Sequence, residues 1–206
     1  MARLNVNPTR MELKKLKARL STAVRGHKLL KDKSDEMIRR FTVMARENLA
    51  LRREVEGELA RILGQFQVAR SVTPAYRAET AFALPASSVR AECSVASVMG
   101  LDVPKIALSQ SGGAGLPYAF FEITSEADYS VSMVTALFPK LLRLAEVEKS
   151  VRMLADEIER NKRRVNALEY VMIPQLEETI AYIREKLSEN ERAALVRIMK
   201  VKGKQQ

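Results

Sequence analysis

The sequence predicts a mainly α protein: a long antiparallel two-helix coiled-coil hairpin with a small β-hairpin-containing cap at the turn. Three observations predict it. Apolar residues recur every three or four positions along both ends of the 206-residue chain, the spacing that lines one helical face. Aromatics make up only 5%, Trp is absent, and Leu, Ala, Glu, Lys and Arg dominate, a mixture that favours long helices over a rounded core. Between the two periodic arms the composition changes abruptly to prolines and glycines. The expected division is residues 1–71, an N-terminal long helix; 72–124, a β-hairpin and loop cap; and 125–206, a C-terminal long helix.

The first helix has a clear start. Asn7 or Thr9 can cap it, and Pro8 is tolerated in a first turn, where its missing N–H would be unpaired anyway. From Leu13 the stripe runs through Leu16, Leu20, Ala23, His27, Leu30, Ser34, Met37, Phe41, Met44, Asn48, Leu51 and Val55. It then drifts by about one residue to Leu59, Ile62, Phe66 and Ala69. Some sixty helical residues span roughly 90 Å at ~1.5 Å each. A helix of that length needs a partner helix along it.

The cap region carries Pro74, Pro85, Pro104 and Pro117 with Gly100, Gly112, Gly113 and Gly115. Val95–Met99 and Val103–Leu108 are short runs of β-formers joined by Gly100-Leu101-Asp102, which reads as a β-hairpin. Ser109–Gly115 reads as a flexible polar loop, and Tyr118, Phe120, Phe121 and Ile123 as another short extended piece.

The partner helix follows. Ser125-Glu126-Ala127-Asp128 reads as a capping box with Ser125 at the cap. Its stripe includes Leu137, Leu141, Leu144, Val147, Leu154, Ile158, Val165, Leu168, Met172, Leu176, Ile180, Ile183, Leu187, Ala194, Ile198 and Val201. Pro139 and Pro174 each remove one helical hydrogen bond and should bend the helix. An alternative start lies near Pro139. If the arms turn back across the cap, residue i faces residue j with i + j near 200.

The net charge of +10 is uneven: residues 1–71 carry +9, residues 72–137 carry −3 and residues 138–206 carry +4. Basic arms flanking an acidic middle suggest different partners at different places. Cys93 is the only cysteine, so no intramolecular disulfide is possible and a reducing compartment fits. No apolar run approaches the ~20 residues that span a bilayer, and the N-terminus lacks the apolar core of a signal peptide. The expectation is a soluble cytoplasmic protein, joined to a membrane only through other proteins.

Catalytic constellations are not legible. His27 is the lone histidine, at a seam position, where a register-setting polar residue is the ordinary role. Cys93 has no histidine near it in sequence. Ser111-Gly112-Gly113-Ala114-Gly115 lacks the Gly-Lys-Ser/Thr ending and strand–helix frame of a phosphate loop, and there is no zinc-ligand spacing. No catalytic residue, cofactor or metal is predicted. The polar seam residues Ser34, Asn48, Glu58 and Gln65 read either as partial exposure where the helices diverge or as a deliberately imperfect pair that further partners cover. Gly57 and Gly64, each costing up to ~1 kcal/mol in a helix, favour close approach of another chain. Charge alone would suit nucleic acid, but few aromatics interleave with it and acid alternates with base along the arms.

Several motifs are specific. Asn5-Val6-Asn7-Pro8-Thr9-Arg10-Met11-Glu12-Leu13, Arg25-Gly26-His27-Lys28-Leu29-Leu30-Lys31-Asp32-Lys33, Arg163-Arg164-Val165-Asn166-Ala167-Leu168-Glu169-Tyr170 with Ile173-Pro174, and Glu189-Asn190-Glu191-Arg192 closely resemble the D subunit of V-type (archaeal/vacuolar-type) ATP synthases and ATPases. The resemblance covers both arms and the Val98-Met99-Gly100 hairpin, and departs mainly at 109–117. It implies a central-stalk rotor that couples ATP hydrolysis or synthesis to ion translocation. Such a shaft has no active site. It inserts its tip into a ring of catalytic A and regulatory B subunits, binds the small F subunit, and rests on a connector to the membrane rotor ring. It neither inserts in the membrane nor binds nucleic acid. On this reading Arg25, Lys28, Lys31, Arg163 and Arg164 form a basic collar facing the stator. Arg10, Lys14, Lys17, Arg197, Lys200 and Lys202 share the tip inside the catalytic ring, and Gly57 and Gly64 mark the contact with the F subunit. The competing readings are a basic coiled-coil scaffold for nucleic acid or an acidic surface and, last, an enzyme with its site in the cap.

Overall fold

The computed structural model describes residues 3–83, 87–112 and 124–203. In chain order the elements are α1 (Arg10–Val72), α2 (Ala75–Phe82), β1 (Ser87–Val98), β2 (Leu101–Gly112), α3 (Ser125–Ala167), a π-helical turn (Leu168–Met172) and α4 (Ile173–Lys202). The protein is therefore mainly α, a long helix pair with one small antiparallel two-stranded sheet. Two compact units emerge: Met1–Glu36 with Glu157–Gln206, and Met37–Asp156.

In the first unit the core is Leu16, Leu176 and Ile183, flanked by Leu13, Leu20, Ala23, Ile180 and Leu187. Each buried Leu or Ile contributes roughly 1.5–3 kcal/mol relative to exposure. Thr9 is the N-cap of α1: its Oγ1 accepts the Glu12 N–H at 3.2 Å and its carbonyl accepts the Leu13 N–H at 3.0 Å. The segment before it is not helical, yet Leu4 and Val6 pack on the same core. The Leu4 N–H donates to the Thr179 hydroxyl at 3.2 Å. At the far end, the Gly203 N–H donates to the Met199 carbonyl and closes α4.

In the second unit Val55, Ile62 and Leu137 form the core with Leu59, Met133, Leu141 and Leu144, and Ala69, Ala81 and Ala127 form a small satellite. Cross-helix pairs line its outside. Lys140 donates to Glu54 and Glu58, both at 2.7 Å, and Arg143 reaches Glu47 at 3.2 Å. Arg52 reaches Glu148 at 3.2 Å. In each unit the residue numbers of facing partners add to about 200, as in His27–Glu169 and Arg52–Glu148.

Several local expectations change. α3 starts at Ser125 and runs through Pro139, so the later start does not occur. The residue at its cap is Thr124, whose carbonyl accepts the Ala127 and Asp128 N–H groups; Ser125 is already helical. α2 is not predicted by the sequence, because eight residues between Pro74 and Pro85 carry too short a pattern to read. The hairpin is longer than its β-formers suggest: both strands have 12 residues, and Ser109 belongs to β2. The turn is the two residues Met99 and Gly100, with φ +56° and +79°, the positive pair that a type I′ turn requires. Residues 113–123, to which the sequence assigns part of the polar loop and the Tyr118–Ile123 piece, lie outside the described residues.

Met172 leaves the seam. It is 39% exposed although the three-four spacing assigns it to the stripe. The cause is Pro174, which lacks an N–H and whose ring crowds the carbonyl four residues earlier. The helix widens there, and the Ile173 N–H donates to the Leu168 carbonyl, five residues back. Ala194, Ile198 and Val201 are also exposed rather than seam residues.

Candidate functional site

The basic residues singled out by sequence all lie in the first unit and are exposed. Within that unit the His27 Nε2 lies 3.3 Å from Glu169 Oε2, which brings the Arg25–Lys33 stretch level with the stretch that follows Arg164. His27 is thus a polar seam residue with a partner on the facing helix. Arg25 donates to the Ser21 carbonyl of its own helix at 3.4 Å. Arg163 pairs with Glu159, and Arg164 lies 3.9 Å from Glu157. Both arginines keep a partner on their own helix and an exposed guanidinium, at 78% and 62% of the side chain. Val165, beside them, is buried.

Of the six residues assigned to the tip, Arg10 pairs with Glu191, while Lys14, Lys17, Arg197, Lys200 and Lys202 are exposed. Gly57 and Gly64 face open space on α1: a Cβ added at either would meet nothing within 4 Å. Of the polar seam residues, Ser34 is buried, Asn48 and Glu58 are half-buried and Gln65 is exposed. Glu58 is held by Lys140, whose ammonium is kept above the usual lysine range by hydrogen bonds to Glu54 and Glu58.

Three features are not legible in the sequence. One is an apolar groove of about 410 Å³ between Ile62, Leu63 and Phe66 of α1, Phe82 of α2, and Val131 and Val134 of α3. Ser130 and Thr135, its hydroxyl-bearing lining residues, donate back to the Glu126 and Val131 carbonyls. Phe66 and Phe82 meet edge to face at 5.9 Å. α2 creates this groove, and the sequence pattern does not disclose α2. The second is the N-terminal segment: Leu4 and Val6 cover α4, and Arg3 lies over the Tyr182 ring at 4.6 Å. The alternation of Leu4 and Val6 is the signal that could have found it. The third is the tether of the hairpin to α3, described below.

Among the described residues, no group of three or more His, Cys, Asp or Glu could hold a metal ion. No helix is long and apolar enough to cross a membrane. The surface is one of charge, seam and grooves, suited to contact with other chains.

The comparisons with known proteins agree with that character. Residues 12–203 match the family model for the D subunit of ATP synthase. The chain belongs to the ATP synthase D-subunit family. It is 49% identical over 206 residues to the V-type ATP synthase D subunit of Clostridium novyi (strain NT), covering 98% of this chain and 95% of that one. It is 50% identical over 207 residues to that of Clostridium botulinum (strain Alaska E43 / Type E3), covering 98% and 97%. It is 48% identical over 203 residues to that of Thermoanaerobacter sp. (strain X514), again covering 98% and 97%. As a member of this family, it is one part of a multi-subunit complex.

Proposed function

We propose that this D subunit is the central-stalk rotor of a V-type rotary ATPase or ATP synthase, coupling nucleotide turnover in an A/B catalytic ring to ion translocation. One observation carries the reading. In each unit the two long helices share a closed apolar seam flanked by cross-helix charge pairs, in the same register. A load on one helix is thereby passed to the other, as a shaft needs. An asymmetric shaft offers different contacts to each of several catalytic interfaces, so that nucleotide state and shaft angle bias one another reciprocally.

On this reading the protein contributes no catalytic group of its own. The collar of Arg25, Lys28, Lys31, Arg163 and Arg164 meets acidic groups or helix C-terminal carbonyls of the stator. The tip residues Arg10, Lys14, Lys17, Arg197, Lys200 and Lys202 enter the ring. The F subunit approaches the Gly57–Gly64 face of α1, and a connector carries the shaft on the membrane rotor. The protein works in the cytoplasm, in the soluble sector. The test is affinity purification of the full chain from its host, followed by rotation and ATPase assays of what comes down. Recovery with the A, B and F subunits, and ATPase activity in the complex but not in the isolated chain, is the expected result. Recovery with nucleic acid in place of ATPase subunits, or turnover by the pure chain, would overturn the reading.

A further inference from the structure

We propose that the outer edge of β1 receives an extended strand from another subunit of the ATP synthase, through main-chain pairing. The proposal rests on membership of a multi-subunit complex and not on the shaft reading.

A two-stranded sheet has two outer edges, and here they are treated differently. The β2 edge is closed twice. The Ile106 N–H donates to Glu146 Oε2 of α3 at 3.2 Å, and the other Glu146 oxygen is held by Arg143 at 2.7 Å. Two residues earlier stands Pro104, which has no N–H to offer. In an antiparallel ladder, pairs whose main-chain groups point inward alternate with pairs whose groups point outward. Ile106 points outward, so its partner Cys93 does too, and so does the Val95–Pro104 pair. Pro104 therefore costs the ladder nothing.

The same alternation sends the N–H and C=O groups of Val89, Ala91, Cys93, Val95 and Ser97 to the outer edge of β1. Among the described residues no strand pairs with that edge. β1 contains neither proline nor lysine, the residues that ordinarily guard an exposed edge. Its side chains are small or short, and Val95 is 71% exposed. A row of main-chain donors and acceptors repeating every ~6.8 Å matches one chemistry, an extended peptide. A second copy fits poorly. Antiparallel self-pairing about Cys93 sets Arg90 against Ala96 and Glu92 against Ser94, which leaves both charges unmatched. The occupant is a strand of a different subunit, and closure of β2 fixes the side on which it adds.

The experiment compares amide hydrogen exchange in the isolated full-length chain and in the intact ATP synthase. Ala91, Cys93 and Val95 amides are expected to exchange near the solvent rate in the isolated chain and about tenfold or more slower in the complex. Val95→Pro removes an outward N–H without touching the ladder to β2. It should keep the Ser94 and Ala96 amides protected in the isolated chain while weakening incorporation about tenfold; Val95→Thr, which keeps the N–H, should incorporate normally. Equal exchange in both states, protection already present in the isolated chain, or protection that grows with its concentration would each overturn the proposal. The second outcome means that the chain covers its own edge, and the third that a second copy does. If Val95→Pro loses the ribbon itself, the wild-type exchange comparison decides alone.

Discussion

His27 of α1 and Glu169 of the π-helical turn face each other at 3.3 Å, and the turn that presents Glu169 exists because Pro174 follows it. A single proline thus sets which residue meets the lone histidine. Replacing Pro174 with alanine should let the helix close with ordinary four-residue bonds and rotate α4 by about one residue relative to α3. Leu176 and Ile183 would then leave their places against Leu16. The expected outcome is a loss of about 1–3 kcal/mol, read as a lower Tm, even though proline is the poorer helix former. A higher Tm would mean that the seam tolerates an unbroken helix.

Met99 makes the opposite case. Its φ of +56° is uncommon for a residue with a long side chain. Asn at the same position fits a type I′ turn. Met99→Asn should stabilise the hairpin by about 0.5–1 kcal/mol, seen as slower exchange of the Leu101 amide. Faster exchange would show that the methionine side chain holds the turn by packing.

Thr179 is fully buried, donates to the Gln175 carbonyl and accepts the Leu4 N–H. Valine keeps its shape and removes the acceptor. Thr179→Val should cost about 1 kcal/mol and make residues 3–8 more readily cleaved by protease. An unchanged cleavage rate would leave Leu4 and Val6 packing as the sole anchor of the segment.

Lys140 has its pKa raised above 10.5 by its hydrogen bonds to Glu54 and Glu58. A raised pKa contributes stability that is complete below the unfolded-state value and disappears as pH rises through the folded-state value. The Tm difference between wild type and Lys140→Gln should therefore be constant through neutral pH and shrink above about pH 10.5. A difference that persists at high pH would assign it to the lysine stem packing rather than to its charge.

The fold is legible wherever one periodicity decides the answer. Leu16, Met37, Val55 and Ile62 on α1, and Leu137, Leu154, Val165, Leu176 and Ile183 on α3 and α4, sit on stripes read from spacing alone, and all are buried. Spacing fails where local covalent chemistry overrides it, as when Pro174 turns Met172 outward. It fails again beyond Glu191: this residue already pairs with Arg10, the first residue of α1, and Ile198 and Val201 are exposed. The strands exceed their sequence signal because β1 outside Val95–Val98 is largely serine, alanine and charge. Those residues pair through the main chain and leave little apolar pattern. The candidate basic site is visible as composition. The partners of Arg163 and Arg164 on their own helix are not, although Glu159 stands at the i,i+4 spacing that favours such pairs.

Those partners shape the last prediction. Charge reversal at Arg163 and Arg164 would set new carboxylates beside Glu157 and Glu159 and confuse repulsion within the helix with loss of a stator contact. Arg163→Gln with Arg164→Gln avoids this. Each exposed pair contributes only about 0–1 kcal/mol to folding, so the double variant should keep the Tm of the isolated chain within a few degrees. If the collar faces the stator, the same variant in the assembled ATPase should lower turnover or torque. The deficit should be largest at low salt, where exposed charges are least screened. Arg-to-Lys versions should restore most of the activity if charge alone matters and little if paired guanidinium contacts do. Wild-type rotation and turnover by the Gln double variant at low ionic strength would sink the collar and leave these arginines as a solvated face held by Glu157 and Glu159.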